Sequence, residues 1–273
     1  KKFFRKRSVS NFIDELKFAK DRYKIGHVMF ESDNALAFNE DEFDNFILQY
    51  RSKINLPFNC YTTPNYVRKD RMERLVDIGL SAISVGIQSG SEKTLNLYKR
   101  KYYNIQQVVE AGRILDKFYP KLSYNFDLIL DNPYETKEDI KQTISLLEKL
   151  PRTYTLNLYS LTFLPGTYLY DQAVKDGFVK DSYYLTRSKY YYKLNNSFYN
   201  SIFLLYRFKI DPKLIASFMK CESSKKITDR FCRVILQHST RILLAMALGR
   251  LIFMFILQNN KTMVTYFIKL GFS

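Results

Sequence analysis

Apolar positions Phe12, Ile13, Leu16, Phe18 and Ala19 recur at helical spacing behind Ser8 or Ser10, which predicts a first helix running to about Tyr23. A short apolar run, Gly26 to Phe30, follows and is bounded by the turn-formers Ser32-Asp33-Asn34, the pattern of a buried strand. The alternation then repeats. Helical spacing over 41–53, 69–79, 105–118, 137–150 and 167–175 is interleaved with extended apolar runs over 56–61, 82–87, 122–130 and 155–161. Gly79 stands where a helix hands over to a strand. Strands apolar at nearly every position, separated by amphipathic helices, predict an α/β fold with a parallel sheet covered by helices, wound as a barrel or a doubly wound sheet.

The series opens with a helix. Five strands are expected where a strand-first series has six, so one strand and its loop are missing from the front. From about Asp181 aromatic residues crowd Tyr183-Tyr184, Tyr190-Tyr191-Tyr192 and Phe198-Tyr199, and helical spacing continues without strands. A boundary is placed at Gly177–Asp181, giving a barrel portion over 1–178 and a helical extension over 179–273.

Composition narrows the picture. At 273 residues and 46% hydrophobic content the chain can bury a globular core. The formal charge of +16 suggests a polyanionic partner such as nucleic acid. Scattered basic residues together with abundant Asn, Tyr, Phe and Ile suggest instead an AT-rich coding sequence, and both readings stay open. Three cysteines, Cys60, Cys221 and Cys232, exclude a disulfide scaffold, fit a reducing cytoplasm and show no close metal-ligand spacing. The basic start, Lys1 to Arg7, lacks the apolar core of a signal peptide. The first residue is not Met, so the chain is expected to begin inside a longer protein.

In a parallel βα fold ligands sit at the carboxyl ends of the strands. Gly86-Ile87-Gln88-Ser89-Gly90-Ser91 closes one strand: the glycines allow close backbone approach, and Gln88 and Ser89 suit ribose or carboxylate hydrogen bonds. An ordinary strand–turn–helix joint, with Ser91 as N-cap, is the competing reading. Asp127 lies within the next apolar strand, where an unpaired carboxylate costs several kcal/mol. Two ligand hydroxyls would satisfy it, and so would a local Lys or Arg. Thr136 with Asp139 has the form of a capping box. Arg100 is either a surface base or a bidentate carboxylate donor, and Asp33 either a turn residue or a partner for an ammonium group. Leu164-Pro165-Gly166-Thr167 is a turn into an N-cap, and the Ser160-Leu161-Thr162 edge can offer backbone groups to an adenine ring. His27 and His238 read as structural, and Cys60 as a core residue.

Taken in order, Arg7-Ser8-Val9 with Asp14-Glu15-Leu16, Phe30 with Asp33, Gly86 to Ser91, Arg100, Asn132-Pro133-x-Glu135-Thr136 and Leu164 to Thr167 fall in one register over roughly residues 5–178. In this the chain resembles the radical SAM superfamily, and within it the enzymes that often carry an amino-terminal cobalamin-binding domain. The resemblance implies a partial barrel of six βα units and reductive cleavage of S-adenosylmethionine by a [4Fe-4S] cluster, with an electron donor. It implies Gln88 and Asp127 on the ribose and Arg100 on the methionyl carboxylate. The Ser32-Asp33-Asn34 loop would lie at the amino group, with Glu135 and the backbone near Leu161-Thr162 at the adenine. The family's CxxxCxxC motif belongs immediately before Arg7 and is absent from this sequence, as is a cobalamin domain. An enzyme parent with an inactive isolated chain is therefore expected. The substrate, small-molecule or macromolecular, is unspecified, and cobalamin enters only through a further domain.

Ile242 to Leu257 is nearly all apolar, yet shorter than the ~20 residues needed to span a bilayer. Packing on the barrel or a further domain is expected, with membrane-surface association as the second reading. Two other functions stay open: a cluster-less barrel acting as a binding or interaction module, with RNA as a candidate ligand, and an α/β barrel enzyme that does not use SAM.

Overall fold

A computed structural model describes residues 7–32, 34–179, 193–220, 222 and, as backbone, 265–269. Helix α1 (Val9–Tyr23) begins where the Ser8 side chain accepts from the Asn11 N–H. Strand β1 (His27–Glu31), helix α2 (Glu40–Gln49) with a π-helical turn at Tyr50–Ile54, strand β2 (Phe58–Thr62) and helix α3 (Lys69–Asp77) follow. Then come strand β3 (Leu80–Gln88), the short helix α4 (Glu92–Leu97), helix α5 (Ile105–Asp116) and strand β4 (Ser123–Leu130). Helix α6 (Lys137–Lys149), strand β5 (Thr155–Ser160) and helix α7 (Tyr168–Lys175) complete the alternation. Helices α8 (Phe198–Arg207) and α9 (Pro212–Met219) and strand β6 (Thr265–Lys269) lie beyond it.

The sheet has the order β5-β4-β3-β2-β1-β6, and every pairing is parallel. The five expected strands are all present. The expectation of helix to the end does not hold, because β6 is a strand and pairs with β1, His27 opposite Thr265. It lies on the outer edge of β1, where the helix-first pattern leaves a strand position open.

The two faces of the sheet differ in kind. Val28, Phe30, Phe58, Cys60, Ile83, Val85, Phe126, Leu128, Leu156 and Leu158 are each 3% exposed or less and meet the helices. Burial of that face is the main stabilising term, at roughly 25 cal/mol per Å² of apolar surface. A knot of rings anchors it: Phe30, Phe46, Tyr50 and Phe58 stand with centroids 4.9–6.2 Å apart. The opposite face carries Met29, Asn59, Tyr61, Ser84, Asn125, Asn157 and Tyr159, all half-buried. This polar concave face is the lumen of the partial barrel.

Helix α8 is not a separate appendage. Its Ile202, Phe203, Leu204, Leu205 and Tyr206 join the same core as the barrel helices. A tie at the carboxyl end of β4 helps hold it: Asp131 accepts from Asn200 Nδ2 at 2.7 Å and from the Asn195 N–H at 3.0 Å. To do so Asp131 adopts φ 61°, a left-handed conformation that Asp tolerates better than most residues. The apolar run 242–257, Cys221, Cys232 and His238 lie outside the described residues. Among the described residues no helix is long and apolar enough to cross a membrane.

Candidate active site at the strand carboxyl ends

Strand register brings two of the anticipated residues side by side. Gly86 pairs with Asp127, and Asp127 pairs with Asn157. Ser84 and Gly86 share the lumen face with Asp127, since Asn125 Nδ2 donates to both Ser84 Oγ and Asp127 Oδ1. The register then shifts between Gly86 and Gln88, and Gln88 sits at φ 57°. That irregularity turns the Gln88 side chain back over Gly86: a Cβ at position 86 would lie 2.6 Å from Gln88 Nε2. The amide of Gln88 and the carboxylate of Asp127 therefore stand next to each other at the mouth of the lumen. Neither is on the surface, at 8% and 9% exposure.

Among the described residues no cation stands beside Asp127. Its Oδ1 accepts from Asn157 Nδ2 at 2.8 Å and Asn125 Nδ2 at 3.2 Å. Burial raises the carboxyl above its ordinary range, while these two amides pull it back down. The alternative, a local Lys or Arg pair, is not seen among the described residues. Oδ2 makes no hydrogen bond to any described residue, and the carboxylate keeps acceptor capacity towards the lumen.

Ser89, expected at the mouth with Gln88, is 1% exposed, and its hydroxyl is fully engaged with neighbours. It donates to Glu135 Oε1 at 3.1 Å, lies 3.1 Å from Thr143 Oγ1 and accepts from the Ser91 N–H. Glu135 is raised by burial, opposed by hydrogen bonds from Thr94 and Ser89. These two residues clamp the β3–α4 turn onto α6. A second clamp lies alongside, where Asp139 accepts from Ser91 Oγ at 2.7 Å, from the Thr136 N–H and hydroxyl, and from Lys93. Thr136 and Asp139 do form the expected capping box, and Ser91 and Thr167 are N-caps as expected.

Arg100 stands apart. Its guanidinium donates to Tyr102 Oη at 2.7 Å and lines a shallow cleft of about 220 Å³ with Glu92, Asn96 and Asn104. No hydrogen bond joins it to Gln88 or Asp127. The segment that carries it is nevertheless fixed to the end of β3, because Tyr103 Oη donates to the Ile87 carbonyl at 3.1 Å. Leu161 is 8% exposed and its N–H donates to the Leu130 carbonyl. The Leu161 carbonyl and the Thr162 N–H make no hydrogen bond to a described residue, and neither does the buried Ser160 hydroxyl. Such a strand end is able to take the edge of a heterocycle. Asp33 lies outside the described residues.

Sequence reasoning missed Asn125 and Asn157. Each is a polar residue at an alternate position of a strand, the only signal that pointed to them.

A nucleoside with free hydroxyls fits this end of the sheet: the Gln88 amide and the Asp127 carboxylate stand on adjoining strands, and free backbone groups stand at Leu161 and Thr162, just past β5. An iron–sulfur cluster does not fit the described residues. Cys60 is buried among apolar side chains, its thiol pushed up to about 12 by that burial, so it is no thiolate ligand. No group of three or more His, Cys, Asp or Glu suited to a metal occurs among the described residues.

Comparison with known proteins agrees with this geometry. The chain is 32% identical over 111 residues to tRNA-2-methylthio-N(6)-dimethylallyladenosine synthase of Pelagibacter ubique, covering 38% of this chain and 24% of that protein. It is 27% identical over 183 residues to the synthase of the same name from Staphylococcus haemolyticus, covering 63% of this chain and 33% of that one. It thus spans a third or less of these relatives' length. Among solved structures, TsrM of Kitasatospora setae, a radical S-adenosylmethionine methyltransferase with tryptophan substrate and a SAM analog bound, superposes with a TM-score of 0.52. The identity is 14%, over 62% of this chain and 33% of that chain, and the likeness is one of fold. The model of the Radical SAM superfamily matches residues 1–147. With that match spanning more than half the sequence, and parallel strands ending in the polar groups just described, this chain belongs to the radical SAM superfamily.

Proposed function

We propose that this chain forms the S-adenosylmethionine-binding part of a radical SAM enzyme, with Gln88 and Asp127 on the ribose hydroxyls and the Leu161-Thr162 backbone at the adenine. Arg100 is assigned to the methionyl carboxylate and has to turn away from Tyr102 to reach it. Ser89 and Glu135 act behind this layer, holding the turn that presents Gln88. The placement of Gln88 and Asp127 on adjoining strands at the polar face of the sheet supports the reading. The family implies a [4Fe-4S] cluster that supplies the electron for cleaving the carbon–sulfur bond, and this chain's share is to orient the nucleoside and exclude water.

Several finer points belong to the same proposal. The substrate is RNA, favoured by relatives named as tRNA-modifying synthases and by the charge of +16. Cobalamin use is suggested only by neighbours of like fold. The protein works in a reducing cytoplasm, where Cys60 stays a thiol and an electron donor is at hand. Alone, the chain does not cleave S-adenosylmethionine, since its three cysteines have no cluster spacing. Anaerobic reconstitution with iron and sulfide, followed by assay for 5′-deoxyadenosine, tests this last point, and product formation would refute it.

Calorimetric titration of S-adenosylmethionine tests the site. Gln88→Ala and Asp127→Asn are each expected to weaken binding about tenfold, the loss of one charged or buried hydrogen bond. Unchanged affinity in both variants would refute the assignment. The competing reading, a binding module without SAM, rests on the missing cluster ligands and predicts that the wild type gives no binding heat with S-adenosylmethionine.

A further inference from the structure

Asp127 is the centre of a row of polar side chains that crosses the lumen face from strand to strand. Ser84 on β3 accepts from Asn125 on β4, and Asn125 also reaches Asp127. Asn157 on β5 reaches the same Asp127 oxygen from the other side, at 2.8 Å. Both described donors fall on Oδ1, and Oδ2 takes no hydrogen bond from a described residue. A carboxylate on a bare strand swings about χ2, so a single donor would leave its plane free; two donors on one oxygen fix it. Amides do this without neutralising the charge, as Lys or Arg would, and the free oxygen keeps its full strength as an acceptor.

We propose that Asn157, backed by Asn125, is a positioning residue that holds the Asp127 carboxylate in the orientation that receives the ribose hydroxyls. The inference rests on the reading that Asp127 meets the nucleoside. Burial and the two amides are the influences on Asp127, and no charged side chain acts on it from β3, β4 or β5. Asn157 therefore also favours the ionised form. Removing its donor moves protonation of Asp127 to higher pH, since a donor to a carboxylate stabilises only the charged state.

The test is titration of S-adenosylhomocysteine, which carries the same ribose and leaves turnover out of the measurement, into the full chain between pH 5 and 8. Asn157→Leu is expected to weaken binding about tenfold at pH 7. It also shifts the acid limb of the binding profile up by about one pH unit, the equivalent of that tenfold change. Asn157→Gln, which keeps an amide, recovers part of both. Asn157→Asp places a second carboxylate beside the first and shifts the limb further than Leu does, which keeps the proposal testable if the Leu variant folds poorly. A merely structural role for Asn157 would weaken binding with an unmoved acid limb, and that result overturns the inference. Asp127→Asn separates the two failures. If it binds like the wild type, the ribose assignment is wrong; if it binds weakly while Asn157→Leu and Asn157→Asp bind normally, only the positioning role is wrong.

Discussion

Two glycines four residues apart give a paired test of how this end of the sheet is built. At Gly90 an added methyl would lie 2.5 Å from the Thr143 Cα, 2.8 Å from the Gln142 carbonyl oxygen and 2.9 Å from the Thr143 nitrogen, all backbone of α6. Non-bonded carbon contacts rest near 3.5–4.0 Å, so α6 has to retreat by about 1 Å. That movement strains the Gly90 N–H bond to Thr143 Oγ1, now 2.8 Å, and the Ser89 contact at 3.1 Å. Overpacking of this kind costs about 1–3 kcal/mol, and two weakened buried hydrogen bonds add about 1 kcal/mol each. Gly90→Ala is thus expected to lose about 3–5 kcal/mol and to melt roughly 10 °C lower in a circular-dichroism thermal scan. At Gly86 the methyl meets only the end of the Gln88 side chain, which is free to rotate away. Gly86→Ala should therefore cost less than about 1 kcal/mol, yet weaken S-adenosylmethionine binding as Gln88→Ala does. A Gly90→Ala melting point within a degree or two of the wild type would show that α6 does not approach the turn this closely. Greater destabilisation by Gly86→Ala than by Gly90→Ala would reverse the reasoning altogether.

Three further outcomes follow from the surroundings of Arg71, Asp139 and Cys60. Arg71, with only 5% of its side chain exposed, donates to the Leu36 and Phe38 carbonyls and to Glu40 and lies over the Phe43 ring, so Arg71→Met should lower stability by about 2–4 kcal/mol in urea unfolding; an unchanged midpoint would contradict it. Burial alone would raise Asp139, but hydrogen bonds from Thr136, Ser91 and Lys93 outweigh it and hold the carboxyl well below its usual range. Its contribution is therefore present above the unfolded value near 3.9 and fades as pH falls below about 4, so the stability gap between wild type and Asp139→Asn should be widest at neutral pH and close in acid. A gap that widens in acid would reverse that sign. Cys60 should resist iodoacetamide in the native protein and react only on unfolding, as followed by mass spectrometry of its peptide; rapid native labelling would place it elsewhere.

Most of the fold was legible because burial imposes its own period. The five strands of the alternation are covered by helices on one face, and positions such as Phe30, Ile83 and Leu128 announce themselves as apolar. The caps at Ser91, Thr136 and Thr167 are local and follow from short-range hydrogen bonding. The site was only half legible. Gln88 and Asp127 could be named from their places at or near strand ends, but the φ of 57° that folds Gln88 back over Gly86 has no sequence marker in a non-glycine residue. Ser89 was expected to face outward with Gln88; the register shift instead turns it inward to Glu135 and Thr143. The partners of Asp127 were not foreseen, because Asn125 and Asn157 lie 32 residues apart and meet only through strand register. β6 escaped the helical pattern for the same reason: a strand that pairs with β1 from the far end of the chain has no local cue.

The left-handed backbone of Asp131 has a thermodynamic consequence. Its conformation is sustained by bonds to Asn195 and Asn200, while the next residues, Asn132 to Glu135, form the loop that leads to the clamp on Ser89. The seating of α8 and the shape of that loop are therefore one equilibrium rather than two. Linkage then requires reciprocity: whatever factor a ligand at the strand ends gains from an ordered loop, the same factor tightens α8 against the barrel. Loosening α8 by Asn200→Ala should accordingly be felt as weaker binding at the strand ends.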